Sequence, residues 1–490
     1  MYLGIDLGTT GVKALLIDAD QSIIASTAAG LEVTRLHPGW SEQNPADWVR
    51  AAEQCLGTLR TEHGKALAAV KGIGLSGQMH GAVLLDKNDQ VLRPCILWND
   101  TRSHVQAARL DADPRFRTIS GNIVFPGFTA PKLVWVKENE PGIFAQVRKV
   151  LLPKDFLRLW LTGEHVGEMS DASGTSWLDT GARQWSPELL AASEMHSDQM
   201  PRLVEGIAPS GMLRGALASR WGMSDRVAVA GGAGDNAASA MGTGTVSAGS
   251  AFVSLGTSGV LFAANDRYLP NPASAVHSFC HALPGTWHQM GVILAATAAL
   301  DWFAELAGAT PGKLAGALGD RVSPPGPVIF LPYLSGERTP HNDAAIRGAF
   351  IGLSHESDRR VLTRAVMEGV AFALRDNLEA LRSAGTELSR ITAVGGGSRS
   401  HYWLKVVATA LNVPIDLPAE GDFGAAFGAA RLGMIAATGA DPLEICTPPP
   451  TAVTFEPQHS LRNAFEEMYH RYRAVYPALS AAGDIISPSR

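Results

Sequence analysis

Short apolar runs ending in glycine-rich turns alternate along the chain with longer stretches whose apolar residues recur at helical spacing. That alternation marks an α/β protein, in which strands form a sheet and helices cover its faces. The pattern predicts strands over residues 2–5, 13–17, 72–75, 82–85, 227–230, 251–255, 328–331 and 391–394. It predicts helices over 46–60, 359–384 and 401–411. In the last of these, Trp403, Val406, Val407 and Ala410 share one face, which is therefore expected to be buried.

The pattern also repeats. Leu7, Gly8, Thr9, Thr10 and Gly11 follow the first strand; Leu255, Gly256, Thr257, Ser258 and Gly259 follow another, almost half a chain later. Each copy leads through valine into a further apolar strand. A repeat at this distance suggests two related domains, each opening with a strand, a glycine–threonine hairpin turn and a second strand. Coincidence between common turn motifs is the alternative. The boundary is expected near residue 240, just after the glycine-rich run 231–234, which gives domains 1–240 and 241–490. The helix expected after Asp235 could serve either one.

Composition narrows the class. At 490 residues, with 46% hydrophobic and 18% charged residues, the chain is an ordinary globular protein of more than one domain. A net charge of -6 offers no basic face to a phosphate backbone, so nucleic acid is not an expected partner. Cys55, Cys95, Cys280 and Cys446 are far apart and form no CxxC pair, which favours a reducing, cytoplasmic setting. No basic segment followed by a long apolar run stands at the N-terminus, so no signal peptide is read. No stretch approaches the ~18 uninterrupted apolar residues of a membrane helix. A soluble protein with no membrane partner is the expectation. The oligomeric state stays open, a homodimer included.

Several motifs can carry chemistry. The Gly8–Gly11 and Gly256–Gly259 turns present backbone N–H groups and hydroxyls to one spot, and glycines let an anion come close. Either turn alone could be a plain hairpin; two copies favour phosphate binding. Asp6 ends an apolar strand, where a carboxylate is expensive to desolvate. Magnesium bridging nucleotide phosphates would compensate it, or it caps the turn amides. Asp235 follows the run 227–230 and the flexible 231–234, and precedes a small helical segment beginning at Asn236. It is either a helix cap or, at a domain junction, the group that takes a proton from an attacking hydroxyl. Gly395, Gly396 and Gly397 lie between a strand and an amphipathic helix and suit close approach by a nucleotide. The small residues at 424–430 read as close helix packing beside that loop.

Two clusters look like sugar readers at strand ends, where α/β proteins keep their ligands. One is 76–81, with Gln78, Met79 and His80; the other is 98–102, opening with Trp98 and Asn99. A lone histidine such as His80 is more often structural than functional. The group His277, Ser278, Phe279, Cys280, His281 lacks the second half of a zinc site and is set aside as a metal centre.

Taken together, these residues resemble the FGGY carbohydrate kinases of the actin-like ATPase superfamily. The segment from Gly127 to Asn139, with Lys132 and Trp135, is similar to the first FGGY signature, and the stretch from Gly395 to Ala430 to the second. The loops at 76–81, 96–100, 152–155, 170–174 and 334–341 look like those of members that phosphorylate D-xylulose. Glycerol kinases instead carry arginine and glutamate at the positions of Met79 and His80. The resemblance implies two actin-like (ribonuclease H-like) domains flanking a deep catalytic cleft. It implies Asp235 as catalytic base, Asp6 as the second essential acid, and both near Mg²⁺. Met79, His80, Trp98, Asn99, Asp235 and Asn236 would bind sugar. Gly8, Thr9, Thr10, Lys13, Gly256 and Thr257 would hold the ATP phosphates, with Gly396 and Gly397 near the adenosine. The implied reaction is ATP plus D-xylulose giving ADP and D-xylulose 5-phosphate. Rival readings are a kinase of the same family for ribulose, another ketose or a sugar acid, and an actin-like nucleotide-switched scaffold or chaperone.

Overall fold

The computed structural model describes residues 1–419 and 421–482. β1 (Tyr2–Leu7) turns through Gly8, whose N–H donates to the Gly11 carbonyl at 2.9 Å, into antiparallel β2 (Gly11–Ile17), which pairs in turn with β3 (Ile23–Gly30). Helix α1 (Pro45–Ala68) follows, capped by the Asn44 side chain on the Ala46 N–H. Trp48, Ala51, Ala52, Cys55, Leu56 and Leu59 repeat at helical spacing and pack on Leu3, Ile5 and Leu7 of β1. The helix runs past the expected end at residue 60, through a kink at His63, and buries Leu67 in the same core. β4 (Gly72–Gly77) then lies parallel to β1, β5 (Pro209–Met212) and β6 (Ala228–Ala230) extend the sheet, and β7 (Ala233–Gly234) pairs with the end of β4. The order is β5-β6-β4-β1-β2-β3. Between β4 and β5 a separate small core, including Leu84, Phe116, Leu133 and Trp177, packs beside the sheet.

Helix α2 (Asp235–Thr243) leads to the second sheet, which repeats the plan of the first. β8 (Ser250–Leu255) and β9 (Gly259–Asn265) form the antiparallel hairpin around Gly256 to Ser258. β10 (His277–Cys280) and β11 (Trp287–Ile293) continue it beyond β9. After the long helix α3 (Arg359–Ser383) come β12 (Arg390–Val394), helix α4 (His401–Leu411) and β13 (Ile415–Pro418), both strands parallel to β8. Helix α5 (Ala425–Thr438), edge strand β14 (Thr451–Phe455) and helix α6 (Arg462–Ala481) complete it. The order is β10-β11-β9-β8-β12-β13-β14. In both sheets an antiparallel set, of three strands in the first and four in the second, is joined through its first strand to two parallel strands and closed by an antiparallel edge. The five-residue echo in the sequence is thus the visible part of a duplicated sheet. Two expected strands stand outside both sheets: Val83–Leu85 pairs with Lys149–Leu151, and Ile329–Leu331 with Ala349–Ile351.

The halves are locked by two helices that cross over. α5, from the second half, lies on the first sheet at van der Waals limit. A β-carbon on Gly74 would fall 1.8 Å from the Ala429 carbonyl oxygen, on Gly4 1.9 Å from that of Ala426, and on Gly72 2.0 Å from that of Gly433. α2 packs on the second sheet through Ala240 against Phe252 and Phe262. The two helices meet where a β-carbon on Gly428 would be 1.8 Å from the Ala238 carbonyl oxygen. The small-residue face at 424–430 therefore packs as a close helix contact, but its partners are the first sheet and α2. Among the described residues no helix is long and apolar enough to cross a membrane, and all four cysteines are buried free thiols.

Candidate active site

Strand register assembles the site. Along β1, Leu3, Ile5 and Leu7 face α1, so Gly4 and Asp6 face the other side, where α5 lies. Asp6 pairs in register with Lys13 on β2 and Ser76 on β4, and Ser76 pairs with Ala233 on β7. Two residues beyond Ala233 comes Asp235, first residue of α2. Three strand ends and one helix start thus bring two carboxylates together that are far apart in sequence. In the second sheet the position matching Asp6 is Ser254, so only the first copy carries the acid.

Asp235 does not cap its helix from the N-cap position, which Gly234 occupies without a side chain. Its Oδ1 accepts from Asn236 N–H at 2.7 Å and Asn236 Nδ2 at 3.0 Å. Its Oδ2 has no hydrogen bond among the described residues. Burial, then the neighbouring Asp6 charge, pushes its pKa up to about 6. Asp6 is also raised, chiefly by burial. Its Oδ1 and the Ser76 hydroxyl beside it are buried without a hydrogen-bond partner. Lys13 forms an ion pair with Asp422, which ties the first hairpin to the second half next to Asp6.

The sugar-reader residues gather at the same place. Met79 packs so closely on Gly234 that a β-carbon there would sit 2.9 Å from the Met79 sulfur. His80 adopts a left-handed backbone, φ 70°, and stacks on Phe128 with ring centroids 4.5 Å apart. Its Nδ1 lies 2.7 Å from the Gly174 carbonyl oxygen. A carbonyl can only accept, so Nδ1 carries the proton and Nε2 presents a lone pair. Burial, with the nearby Lys132 charge, holds the pKa down at about 3, so the ring is neutral. His277 and Phe279 of β10 close the cluster from the second half, and Arg338 donates to His277 Nε2 at 3.3 Å. At the other end of β10, His281 Nε2 donates to the Thr245 carbonyl at 3.1 Å.

Trp98 is 44% exposed, and its indole N–H donates to Thr9 Oγ1 at 2.9 Å. Thr9 Oγ1 in turn donates to Gln78 Oε1 at 3.2 Å, and Gln43 Nε2 donates to the Thr9 carbonyl at 2.8 Å. The Thr9 hydroxyl is therefore spent inside the protein, whereas Thr10 is exposed with its hydroxyl unengaged among the described residues. Asn99 Oδ1 is buried without a partner.

On the second half, Thr297 N–H donates to the Gly256 carbonyl at 2.9 Å and Ala296 N–H to that of Thr257 at 2.8 Å, which ties the turn to the start of the following helix. A cavity of about 800 Å³ adjoins this region, lined by Gly396, Gly397, Arg399, Tyr402, Thr297 and Asp301 among others. The three glycines differ. Gly395 has φ 89° and abuts Leu255, Gly397 abuts the Leu255 side chain, and Gly396 has open space where a side chain would be. The volume is that of a typical small-ligand site.

The structure thus groups Asp6, Asp235, Asn236, Met79 and His80, with Trp98 joined to the Thr9 turn, and places Gly396 and Gly397 in a cavity of the second half. Reading the sequence missed Asp422 and Gln43, set His277 aside as a metal candidate and noted Arg338 only within the 334–341 loop. The contacts of these residues carry no local signal, because each matters through a partner far away in the chain.

The chain matches the N-terminal domain of the FGGY family of carbohydrate kinases over residues 1–242 and the C-terminal domain of that family over 251–437. It is 47% identical over 480 residues to a xylulose kinase of Escherichia coli (strain K12), covering 97% of this chain and 96% of that protein. It is 49% identical over 439 residues to a xylulose kinase of Klebsiella pneumoniae, covering 89% and 90%. The crystal structure of a xyloylose kinase from Brucella ovis superposes with TM-score 0.97 at 67% identity, covering 98% of this chain and 99% of that one.

Proposed function

The chain belongs to the FGGY family of carbohydrate kinases, and from that premise we propose that it transfers the γ-phosphoryl group of ATP to the 5-hydroxyl of D-xylulose. The fold is the actin-like pair of domains of that family, with a cleft between them. We take residues 1–240 as the sugar side and 241–490 as the nucleotide side, with α2 and α5 crossing between.

The carrying observation is the ladder Asp6–Ser76–Ala233, which sets Asp235 beside the His80 loop. Asp235 Oδ2 is the group that accepts the hydroxyl proton as the oxygen attacks phosphorus. At neutral pH the carboxylate is mostly ionised yet basic enough to take a proton late in the step. Neutral His80 accepts a hydrogen bond from a sugar hydroxyl at Nε2. Met79 packs against the sugar's carbon skeleton, and Trp98, Asn99 and Asn236 flank it. The Gly8–Gly11 and Gly256–Gly259 turns, with the exposed Thr10 hydroxyl and Lys13, meet the phosphates, and adenosine fills the cavity beside Gly396 and Gly397.

Two adjacent carboxylates and the orphaned Asp6 Oδ1 fit Mg²⁺, a hard cation that takes few protein ligands. Asp6 and Asp235 would hold it, and when bound it offsets the charge of the phosphate oxygens. Four free thiols and ATP dependence suit a cytoplasmic enzyme.

A coupled ADP-release assay across D-xylulose, D-ribulose, other ketoses and sugar acids, with the product identified, tests the reading. D-xylulose should give the highest kcat/KM and a 5-phosphate. A higher value for ribulose or a sugar acid would reassign the substrate; ADP release without any sugar phosphate would refute a sugar kinase.

A further inference from the structure

The segment that resembles the first family signature does not itself reach the two carboxylates, and its lysine points inward. Lys132 is fully buried, with no carboxylate in ion-pair contact among the described residues. Its ammonium donates to two backbone carbonyls, His80 at 2.8 Å and Gly127 at 2.7 Å. Thr129 Oγ1 donates to the same His80 carbonyl at 3.1 Å. Burial pulls the lysine pKa down to about 7, so the ammonium is an uncomfortable tenant. Such a group persists where local acceptors need it.

One acceptor belongs to the first sugar-reading loop, and the other abuts the second. His80 is a non-glycine residue in the left-handed region, a conformation that surroundings must hold. Gly127 lies against the other loop, where its β-carbon would be 2.1 Å from the Trp98 carbonyl oxygen. The first turn of the helix Thr129–Asn139 therefore supplies both donors to the His80 carbonyl, and Phe128, which precedes it, supplies the face on which the His80 ring stacks.

We propose that Lys132 is a positioning residue for sugar recognition: it clamps the left-handed His80 backbone, and through Gly127 the Trp98 loop, so that the imidazole Nε2 faces the sugar. The inference rests on the sugar-site reading of His80. Without the clamp, the His80 peptide relaxes toward ordinary φ and the ring leaves Phe128. Sugar binding suffers while the nucleotide half is untouched.

The test is steady-state kinetics on the full-length enzyme carrying Lys132→Met, His80→Ala or both. Lys132→Met should raise the D-xylulose KM by about tenfold or more and leave the ATP KM within about twofold. Added to His80→Ala, it should raise the sugar KM by less than about threefold further, because the ring it positions is gone. Thr129→Val, which removes the second donor to that carbonyl, should raise the sugar KM by roughly two- to fivefold and serves if Lys132→Met does not fold. An unchanged sugar KM in both Lys132→Met and Thr129→Val overturns the proposal. So does an equal rise in ATP KM, or a full additional effect on the His80→Ala background. If His80→Ala alone leaves the sugar KM unchanged, the sugar-site reading falls first and this inference with it.

Discussion

Asp235 holds its proton to higher pH than an ordinary aspartate, because its site is buried and because the Asp6 carboxylate stands beside it. A base works only when deprotonated, so the raised value fixes the acid limb of the reaction. We expect kcat/KM for the sugar to fall about tenfold per pH unit below about 6. His80, with its pKa held down at about 3, stays neutral over that range and adds no second limb. A pH–rate profile checks this; a limb at the ordinary aspartate value would mean that Asp6 and burial do not act on the base.

Replacing Asp235 by asparagine keeps the length and polarity of the side chain at the start of α2 and removes the basic oxygen. Turnover should drop by roughly 10²–10⁴-fold, a barrier increase of ~3–5 kcal/mol. ATP binding, measured by calorimetry, should change little. Near-normal kcat would show that proton removal does not pass through this residue.

The contact between α5 and the first sheet leaves no room for a methyl group. Gly74→Ala and Gly428→Ala each push a β-carbon to 1.8 Å from a backbone oxygen, which only a shift of the whole helix can relieve. Each should lower the thermal unfolding midpoint by several degrees, corresponding to at least ~1–3 kcal/mol. An unchanged midpoint would mean that the crossing helices tolerate separation.

The glycines of the 395–397 loop should separate by role. Gly396→Ala meets nothing within 4 Å, so the protein should keep its stability while the ATP KM rises as the methyl narrows the cavity. Gly395→Ala forces a left-handed residue against the Leu255 backbone and should destabilise by ~1 kcal/mol or more. Thermal melts and ATP titrations on the two variants read both effects.

Much of the architecture was legible along the chain because its signals are local. A strand's alternation, the helical spacing of Trp403, Val406, Val407 and Ala410, and the repeated Leu-Gly-Thr turn each depend on residues within a few positions. The same locality made Asp6 and Asp235 conspicuous, since a carboxylate at the end of an apolar run is odd wherever it occurs. Other features carried no such mark. That Asp6 faces Ser76 and lies two steps from Asp235 is a matter of strand register. That Lys13 pairs with Asp422, that α5 returns to Gly4 and Gly74, and that Lys132 seats His80 are matters of packing. By itself the sequence determined the elements, the duplicated plan and the residue types able to move a phosphoryl group. Only the tertiary structure decided which of them meet, because hydrogen bonding and burial act between atoms that chain order does not bring together.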